Sequence, residues 1–501
     1  MFRHQMAPQE PLSPESLDTI ERGWKRLVSE IGVEFMHPEA LSVLADAGQR
    51  VEGEVVHFDP DWVLEQVRLA PSEFDVRARN PEHDITLGGR HVVCTPVSGP
   101  PFFRIGDERR DGTLEDYRLM AKLVQAFPEL DASTMPIIEP NDRPLDSRHL
   151  DMILAAMSLT DKVVFGSALS DVNSDDSIEM ARILFSRSDN TGFESDGPGA
   201  GVFRPAGASG HDRPMCSIIT IANANSPLRF DTRMLEAMLA YAKAGQAVVV
   251  TPFLLMGAMS PVTVASALAQ QSAEALTGIA LMQALRPGTP AVMGSFLSTI
   301  DMQSGSPSFG GPESAAGLLA SGQLARRYAL PWRAGGGGLT ASQTVDAQAG
   351  YEAFNTLNAA FGAGANLIVQ SAGWLESGLV SCPEKLVMDV ELLRTLRQQY
   401  TPLVIDDEAL AFDAHDEVRH GGHFLGCMHT LERFRDCFYR PMLSSTENFE
   451  RWTSKGARDT QARAGEIWRA TLQEYAQPAL DPEVERELQE FVDRRRTELG
   501  D

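Results

Sequence analysis

Cysteine is scarce in this sequence, and no apolar stretch is long. The 501 residues include five cysteines without a C-x-x-C pair, and an odd, scattered number favours a reducing compartment over a disulfide scaffold. The most apolar run, 247–259, is too short to cross a bilayer and contains Pro252. Residues 1–11 carry charges and prolines instead of an apolar targeting core. We therefore predict a cytoplasmic protein without a membrane span.

Basic residues are also under-represented. The chain has 44 Lys and Arg against 69 Asp and Glu, which gives a formal net charge of -25. No basic face is available to neutralise phosphates, so nucleic acid is excluded as a partner. An acidic surface would favour a cationic ligand, although such surfaces more often serve solubility.

Several catalytic motifs are missing as well. The sequence contains no G-x-S-x-G elbow, no G-x-x-x-x-G-K-[ST] loop and no evident Cys-His nucleophile pair. The spacing of His420, His423, Cys427 and His429 matches neither H-E-x-x-H nor a structural zinc pattern, so we predict no metal site. The function must therefore come from chemistry that needs none of these groups.

What the sequence does contain is a regular alternation of apolar runs and helical patterns. Such alternation predicts a parallel α/β sheet, and eight units are the number in a closed (β/α)8 TIM barrel, although an open doubly wound sheet would also alternate. The predicted strands are 91–97, 130–138, 162–168, 215–222, 247–253, 290–296, 331–334 and 366–372. The predicted helices after them are 114–127, 148–159, 175–185, 231–244, 262–285, 312–328, 344–361 and 384–399.

Flanking segments depart from this alternation. Residues 1–90 open with Ser13 and Pro14 at a helix start and then mix helical and β-like pieces, so we expect an N-terminal helical/β extension. Residues 91–400 form the predicted barrel. Residues 401–501, with a helix after Asp481, are expected to form a C-terminal helical wrap.

The stretch from Leu330 to Leu379 concentrates the candidate ligand-binding residues. In a barrel, functional groups lie at the carboxyl ends of the strands, where glycines let a ligand approach the backbone. Many polar residues follow strands in this way, and any one of them is more often a loop-capping residue. The substrate-binding residues that we predict are Arg333, Gln370, Trp374, Glu376 and Phe253, and the other candidates at this rim are Glu139, Asp142, Ser167, Asn223, Asn225, Ser295 and Asp301.

These residue types suit a small zwitterion. A quaternary ammonium has no N–H, so π faces and carboxylates such as Trp374 and Glu376 would recognise it, and Arg333 could bind a carboxylate. Two alternatives stay open. Trp374 could be a packing residue, and Gly335 to Gly338 could bind phosphate, as the corresponding loops of many barrels do.

A series of short motifs resembles the trimethylamine methyltransferase superfamily. They occur in family order over nearly the whole chain: Thr160-Asp-Lys162, Gly294 to Gly305, Leu330-Pro-Trp-Arg333, Asp346 to Gly350, Gly364-Ala-Asn366, Gly373 to Gly378, Glu384-Lys385, Gly422 to Leu425 and His429-Thr-Leu431. The resemblance implies a TIM barrel that moves a methyl group from an amine to the Co(I) of cobalamin (a corrinoid) on a separate corrinoid protein. It leaves the oligomeric state open, and a homo-oligomer is compatible with it.

Every position is a standard residue, whereas the founding members use pyrrolysine. The resemblance therefore points to the non-pyrrolysine branch that acts on quaternary amines such as glycine betaine, and displacement by Co(I) would need no catalytic side chain. It also implies a histidine in betaine-type relatives where this chain has Gln370, so the donor could be another betaine, choline or carnitine. The alternatives are a barrel that binds a quaternary amine without turnover and a phosphate-binding lyase.

Overall fold

The N-terminal section is built from three short helices and small strands. The computed structural model describes residues 1–187 and 192–500. Each of the helices begins at a proline, whose fixed φ and missing N–H suit the first turn. A side chain also caps the first of them, since the Ser13 hydroxyl accepts a hydrogen bond from the Ser16 amide. The helices are α1 (Pro14–Arg26), α2 (Pro38–Asp46) and α3 (Pro60–Val67), and the strands include Val33–Phe35, Arg50–Glu52, Val55–His57, Glu73–Val76 and Ile85–Gly88.

The next part of the described chain alternates strands and helices, as predicted. The main strands are β1 (His91–Pro96), β2 (Ala132–Ser133), β3 (Val163–Val164), β4 (Ile219–Ala224), β5 (Ala247–Pro252), β6 (Ala291–Ser295), β7 (Trp332–Gly335) and β8 (Leu367–Ala372). The helices are α4 (Leu114–Ala126), α5 (Arg148–Leu159), α6 (Asp171–Leu184), α7 (Thr232–Lys243), α8 (Val264–Leu285), α9 (Pro312–Arg327), α10 (Ala347–Gly362) and α11 (Pro383–Gln399).

The main strands pair in parallel. Strand β1 pairs with β8, and the order then runs through β7, β6 and β5 to β4. A parallel bridge joins Ile219 of β4 to Phe165, and β3 pairs with β2. The amide of Asp131, just before β2, donates to the carbonyl of Cys94 in β1 at 2.8 Å. The prediction of a mixed α/β fold is therefore confirmed.

Alternation along the strands separates two apolar layers. Val248 and Val250 of β5 belong to the large core that packs against the helices, whereas Ala247 and Val249 belong to a second cluster. Because successive strand residues point to opposite faces, these clusters mark the two sides of the sheet. The second cluster also contains Phe74 of an N-terminal strand.

The predicted bounds differ most from the observed ones at β2, β3, α6 and β4, where the strand predicted at 215–222 is observed at Ile219–Ala224. Strands predicted at 130–138 and 162–168 are reduced to two residues each, β2 and β3, and helix α6 begins four residues earlier than predicted. Ser170 explains the earlier start, because its hydroxyl accepts a hydrogen bond from the Asn173 amide and caps the helix.

The C-terminal residues divide into two parts. Helices α15 (Thr460–Glu474) and α16 (Pro482–Leu499) pack on the main body, with the Trp468 indole donating to Glu384 of α11 at 3.0 Å. Residues 401–450 contain the short helices α12 (Phe412–Val418) and α13 (Met428–Arg433), and α14 (Phe449–Ser454) begins at their end. Among residues 401–450 only Ala414, Cys427 and Leu443 are buried.

None of the helices in residues 1–187 and 192–500 combines the length and the apolar character that a membrane span requires.

Candidate functional site

A cavity of about 310 Å³ lies at the carboxyl ends of the main strands. That volume suits a small organic ligand. Two of its lining residues, Leu169 and Asn223, are exposed, so the cavity reaches the surface. Four of the five predicted substrate-binding residues line it. The side chains used below are Phe253, Phe296, Arg333, Gln370, Trp374 and Glu139.

Arg333 places an uncompensated positive charge in this cavity. Strand alternation turns it inward, since its neighbours Trp332 and Ala334 belong to the outer core. Its side chain is 2% exposed, and burial lowers its pKa to about 9 without a carboxylate to oppose the shift. In the described part of the chain no Asp or Glu oxygen lies within 4 Å of the guanidinium, and its Nε has no hydrogen-bond partner. The site therefore attracts an anionic ligand group.

Gln370 reaches the cavity because β8 is irregular. Ile368 faces the outer core and Val369 the inner cluster, so strict alternation would turn Gln370 outward. The pairing register shifts between Ile368 and Ala372, and Gln370 has a φ of +59°. A non-glycine residue with positive φ is unusual and often marks a functional position. Its Oε1 accepts a hydrogen bond from Arg333 Nη2 at 2.8 Å, so the amide orients the guanidinium.

Aromatic rings form another part of the cavity wall. The Phe253 and Phe296 ring centroids are 4.5 Å apart with the rings tilted by 43°. Trp374 is 8% exposed and also lines the cavity. Its indole lies so close to Gly378 that a Cβ there would come within 2.6 Å of the ring, so this glycine is required for the ring's position. These π faces can attract a cation.

Glu139 contributes a carboxylate to the same cavity. It follows β2 and was a rim candidate but not one of the five predicted binding residues. Burial raises its pKa, opposed by Arg148, whose Nη2 lies 2.7 Å from the carboxylate. Arg148 thus partly neutralises the Glu139 carboxylate, although Glu139 still lines the cavity. In the sequence, the one indication that Glu139 belongs to the site was its position at a strand end, and many residues without a functional role share that position.

Glu376 is not among the cavity-lining residues. Both oxygens of its carboxylate share the Arg109 Nε–H donor, at 2.9 and 3.1 Å, and the Arg109 guanidinium lies 3.9 Å from the centroid of the Phe102 ring. Contact between Glu376 and a ligand stays a prediction. The sequence could not reveal this pair, because Arg109 is 267 residues away.

The glycine loop after β7 uses its amides within the protein. Gly338 donates to the Gln370 carbonyl at 2.8 Å, and Gly336 donates a longer bond of 3.4 Å to the Gln370 side chain. The Gly337 carbonyl accepts a hydrogen bond from Thr356 at 2.7 Å. These contacts hold the loop against β8. The amides of Gly336 and Gly338 are therefore already used within the protein and are not free to bind a phosphate.

A buried ion pair supports the site from behind. Lys385 and Asp389 of α11 have fully buried side chains and contact each other. Asp389 accepts a hydrogen bond from the Gly373 amide at 2.8 Å, and Lys385 donates to the Gly338 carbonyl at 3.3 Å. Burial raises the pKa of Asp389 to about 6. The pair fixes both loops that flank Gln370.

No cluster of three or more His, Cys, Asp or Glu side chains in the described residues is arranged to hold a metal ion.

The fold and this cavity define a class: an α/β protein with a cavity lined by charged and aromatic side chains at the carboxyl ends of parallel strands. The sequence profile of the trimethylamine methyltransferase (MTTB) family matches residues 1–197 and 202–500. The chain belongs to this family and is a methyltransferase. The resemblance inferred from the short motifs is thereby confirmed.

Several characterised proteins are similar to it. The glycine betaine methyltransferase of Desulfitobacterium hafniense (strain Y51) is 38% identical over 491 residues, 98% of either chain. The proline betaine:corrinoid methyltransferase of Eubacterium limosum is 26% identical over 415 residues, 80% of either chain. The crystal structure of the Methanosarcina barkeri monomethylamine methyltransferase (MtmB) aligns with a TM-score of 0.52 at 10% identity, covering 94% of this chain and 89% of that one. That structure is similar in fold.

Proposed function

We propose that this enzyme moves a methyl group from a quaternary amine that carries a carboxylate, such as glycine betaine, to the Co(I) of a corrinoid protein. The observation that carries the proposal is Arg333, which is buried without a carboxylate in a cavity that also has aromatic walls. A buried guanidinium is costly unless a partner compensates it. A substrate carboxylate would be that partner, so the proposal favours betaines over choline.

The cavity also contains groups that complement the positive charge of the substrate's quaternary ammonium. Phe253, Phe296 and Trp374 offer π faces, and each contact with a quaternary ammonium would contribute roughly 0.5–2 kcal/mol. Glu139 adds a carboxylate to the same wall. A zwitterion held at both ends has one orientation in the cavity. The names of two relatives, which act on glycine betaine and proline betaine, support this substrate class.

The side chains then have three tasks: to bind, to orient and to exclude water. The corrinoid, carried by a partner protein, supplies Co(I), a nucleophile strong enough to accept a methyl group. Arg333 fixes the carboxylate end, which gives the N-methyl groups one orientation in the cavity, and the cavity opens to the surface at Leu169 and Asn223. The nitrogen of the departing tertiary amine is neutral, so no general acid is needed. This agrees with the lack of catalytic motifs in the sequence.

We also propose that the main strands close into a (β/α)8 TIM barrel. The parallel pairs from β1 through β8 to β4, the bridge at Phe165 and the 2.8 Å bond from Asp131 to Cys94 support a ring. Within this proposal residues 91–400 are the barrel, residues 1–90 its N-terminal extension and residues 401–501 its C-terminal extension. The five cysteines are unpaired, which supports a cytoplasmic location.

A methyl-transfer panel tests the function. The purified enzyme is incubated with reduced cobalamin and with glycine betaine, carnitine, choline or tetramethylammonium, while the Co(I) absorbance is followed. We expect Co(I) to be consumed with carboxylate-bearing amines and at least tenfold more slowly with choline. Replacing Arg333 by Met should lower kcat/KM for the betaine by roughly 30- to 100-fold, about 2–3 kcal/mol for a charged hydrogen-bonded pair.

Other outcomes would contradict the proposal. Equal rates for choline and betaine, or an unchanged R333M enzyme, would remove the carboxylate from the substrate class. Binding of a betaine by calorimetry without any loss of Co(I) would instead favour a barrel that binds the amine without turnover.

A further inference from the structure

Residues 401–450, called the arm below, expose an unusual number of large apolar side chains. Eleven such exposed residues are spread over the rest of the described chain, whereas twelve lie between positions 403 and 449. Their exposed fractions range from 43% for Phe424 to 85% for Leu403. The twelve are Leu403, Val404, Ile405, Leu410, Phe412, Phe424, Leu425, Met428, Leu431, Phe434, Phe438 and Phe449.

The arm has little packing of its own to hold its shape. Its helices α12 and α13 contain seven and six residues, which is too short for a helix to be stable alone in water. One of its few anchors to the main body is Glu391 of α11, which accepts hydrogen bonds from the Met442 and Leu443 amides at 2.8 and 3.2 Å. A segment with this composition needs an apolar cover from outside the chain.

The exposed apolar area is large enough for a stable interface. Since a fully covered aromatic side chain buries about 150–250 Å², twelve large side chains at these exposures offer on the order of 1,000 Å². A stable complex buries about 800 Å² per partner. Covering most of these side chains would therefore bury the area of a standard stable interface.

We propose that the arm is the interface through which a second copy of this chain associates with the first. A corrinoid protein that visits for each methyl transfer would leave this surface in water between visits, and transient interfaces are smaller and more polar. A second copy is present at all times and at the same concentration. Because each copy carries the same apolar surface, association covers both arms at once.

Cys437 provides a native probe for this interface. Of the five cysteines in the chain, all of which the structure describes, it alone is exposed, and it lies next to Phe438, which is 84% exposed. If a second copy covers the arm, the Cys437 thiol is shielded in the assembled protein and reactive in a separated copy.

The experiment combines sedimentation velocity with thiol titration by a chromogenic disulfide reagent under native conditions. The wild type should sediment as two or more copies and react at least tenfold more slowly than the variant L403D/I405D/F438S, which should be monomeric with one reactive thiol. The matched control L145D/Y351D changes exposed apolar residues elsewhere, 68% and 64% exposed, and should stay assembled.

The wild-type measurement decides the question even if the variant fails to fold. A monomeric wild type with a freely reactive Cys437 would overturn the proposal, as would an assembly in which that thiol stays reactive. Protection of Cys437 only after a corrinoid protein is added would show the arm to be the docking surface of that partner instead.

Discussion

At the scale of single residues, Arg333 and Gln370 act as a unit. The guanidinium has no carboxylate among the described residues, and its neighbour in the cavity is the neutral Gln370 amide at 2.8 Å. A neutral partner orients the guanidinium without neutralising it. The positive charge therefore stays available to a ligand, which a glutamate at the same position would prevent.

Replacing Gln370 by Glu tests this arrangement. The new carboxylate would pair with Arg333 and compete with the carboxylate of a betaine, so KM for the betaine should rise at least tenfold. Binding of choline, which has no carboxylate, should change little or improve. Steady-state kinetics and calorimetry with both compounds measure the difference.

Gln370→Ala should alter substrate preference without this charge competition, and unchanged kinetics for every amine would remove Gln370 from the site.

We expect Glu139 to make the binding of a cationic substrate sensitive to pH. Burial raises its pKa above the ordinary value of 4.5, so its negative charge is lost at a higher pH than that of an exposed glutamate. Affinity for a quaternary amine should fall as the pH drops through this raised pKa. The same raised pKa affects folding stability. Protonated Glu139 stabilises the folded state below pH 4.5, and this contribution is lost as the pH rises through the folded-state pKa. Protonation of Glu139 therefore does not itself unfold the protein. Calorimetric titrations of wild type and E139Q at several pH values provide the measurement. The acid dependence should be absent in E139Q, and an identical pH profile in both would contradict the role of Glu139.

At the scale of elements, helix α16 is held to the main body by buried carboxylates. Arg495 donates to Asp176 at 2.7 Å, Arg496 contacts Asp151, and both aspartates are buried. Asp176 also pairs with His149 at 2.9 Å. The last helix is therefore fixed by charged groups on α5 and α6 as well as by its apolar face.

Replacing Arg495 by Ala should lower the free energy of unfolding by about 1–3 kcal/mol, because the buried Asp176 carboxylate would lose its guanidinium partner and keep His149. The matched control is the neighbouring Arg494, whose side chain is 60% exposed, pairs with Glu498 at 3.9 Å and lies 5.2 Å from the centroid of the Phe491 ring. Its replacement by Ala should change stability by less than about 0.5 kcal/mol. Urea denaturation of the three proteins gives both values, and equal effects would show that the Asp176 pair contributes nothing.

At the scale of the whole molecule, Asp131 lies where the first two main strands meet. Its side chain accepts a hydrogen bond from the Cys94 amide at 2.9 Å, lies 3.0 Å from the Met1 ammonium and accepts from Arg397 at 3.1 Å. One carboxylate thus joins β1, the N-terminus and the end of α11.

Removing this carboxylate should destabilise the entire fold. We expect Asp131→Ala to cost about 3–5 kcal/mol, because Arg397 would be left as a largely buried charge without its partner. Thermal unfolding followed by circular dichroism checks this result. Asp107→Ala is the control, since the Asp107 side chain is 99% exposed. A normal melting temperature for Asp131→Ala would mean that the junction between β1 and β2 does not depend on it.

Much of the architecture could be predicted because it depends on local periodicity. The order of apolar runs placed Arg333 at the end of a strand, and the repeat of strands and helices predicted the parallel α/β arrangement, because backbone pairing and burial impose these periods on any sequence. Glycines at strand ends marked the loops where a ligand could bind. Phe253, Arg333, Gln370 and Trp374 accordingly line one cavity.

Other features depended on contacts between distant parts of the chain. Strict alternation would have turned Gln370 away from the cavity, and only the register shift against β1 directs it inward. The pairing of Glu376 with Arg109, the approach of Glu139 to Arg148 and the exposure of the arm are likewise set by tertiary packing. By itself the sequence determined which residue types end each strand and which family the chain resembles. Tertiary structure decided which of those residues share a cavity and which are neutralised by a neighbour, because charge pairing depends on distance in space and not on position along the chain.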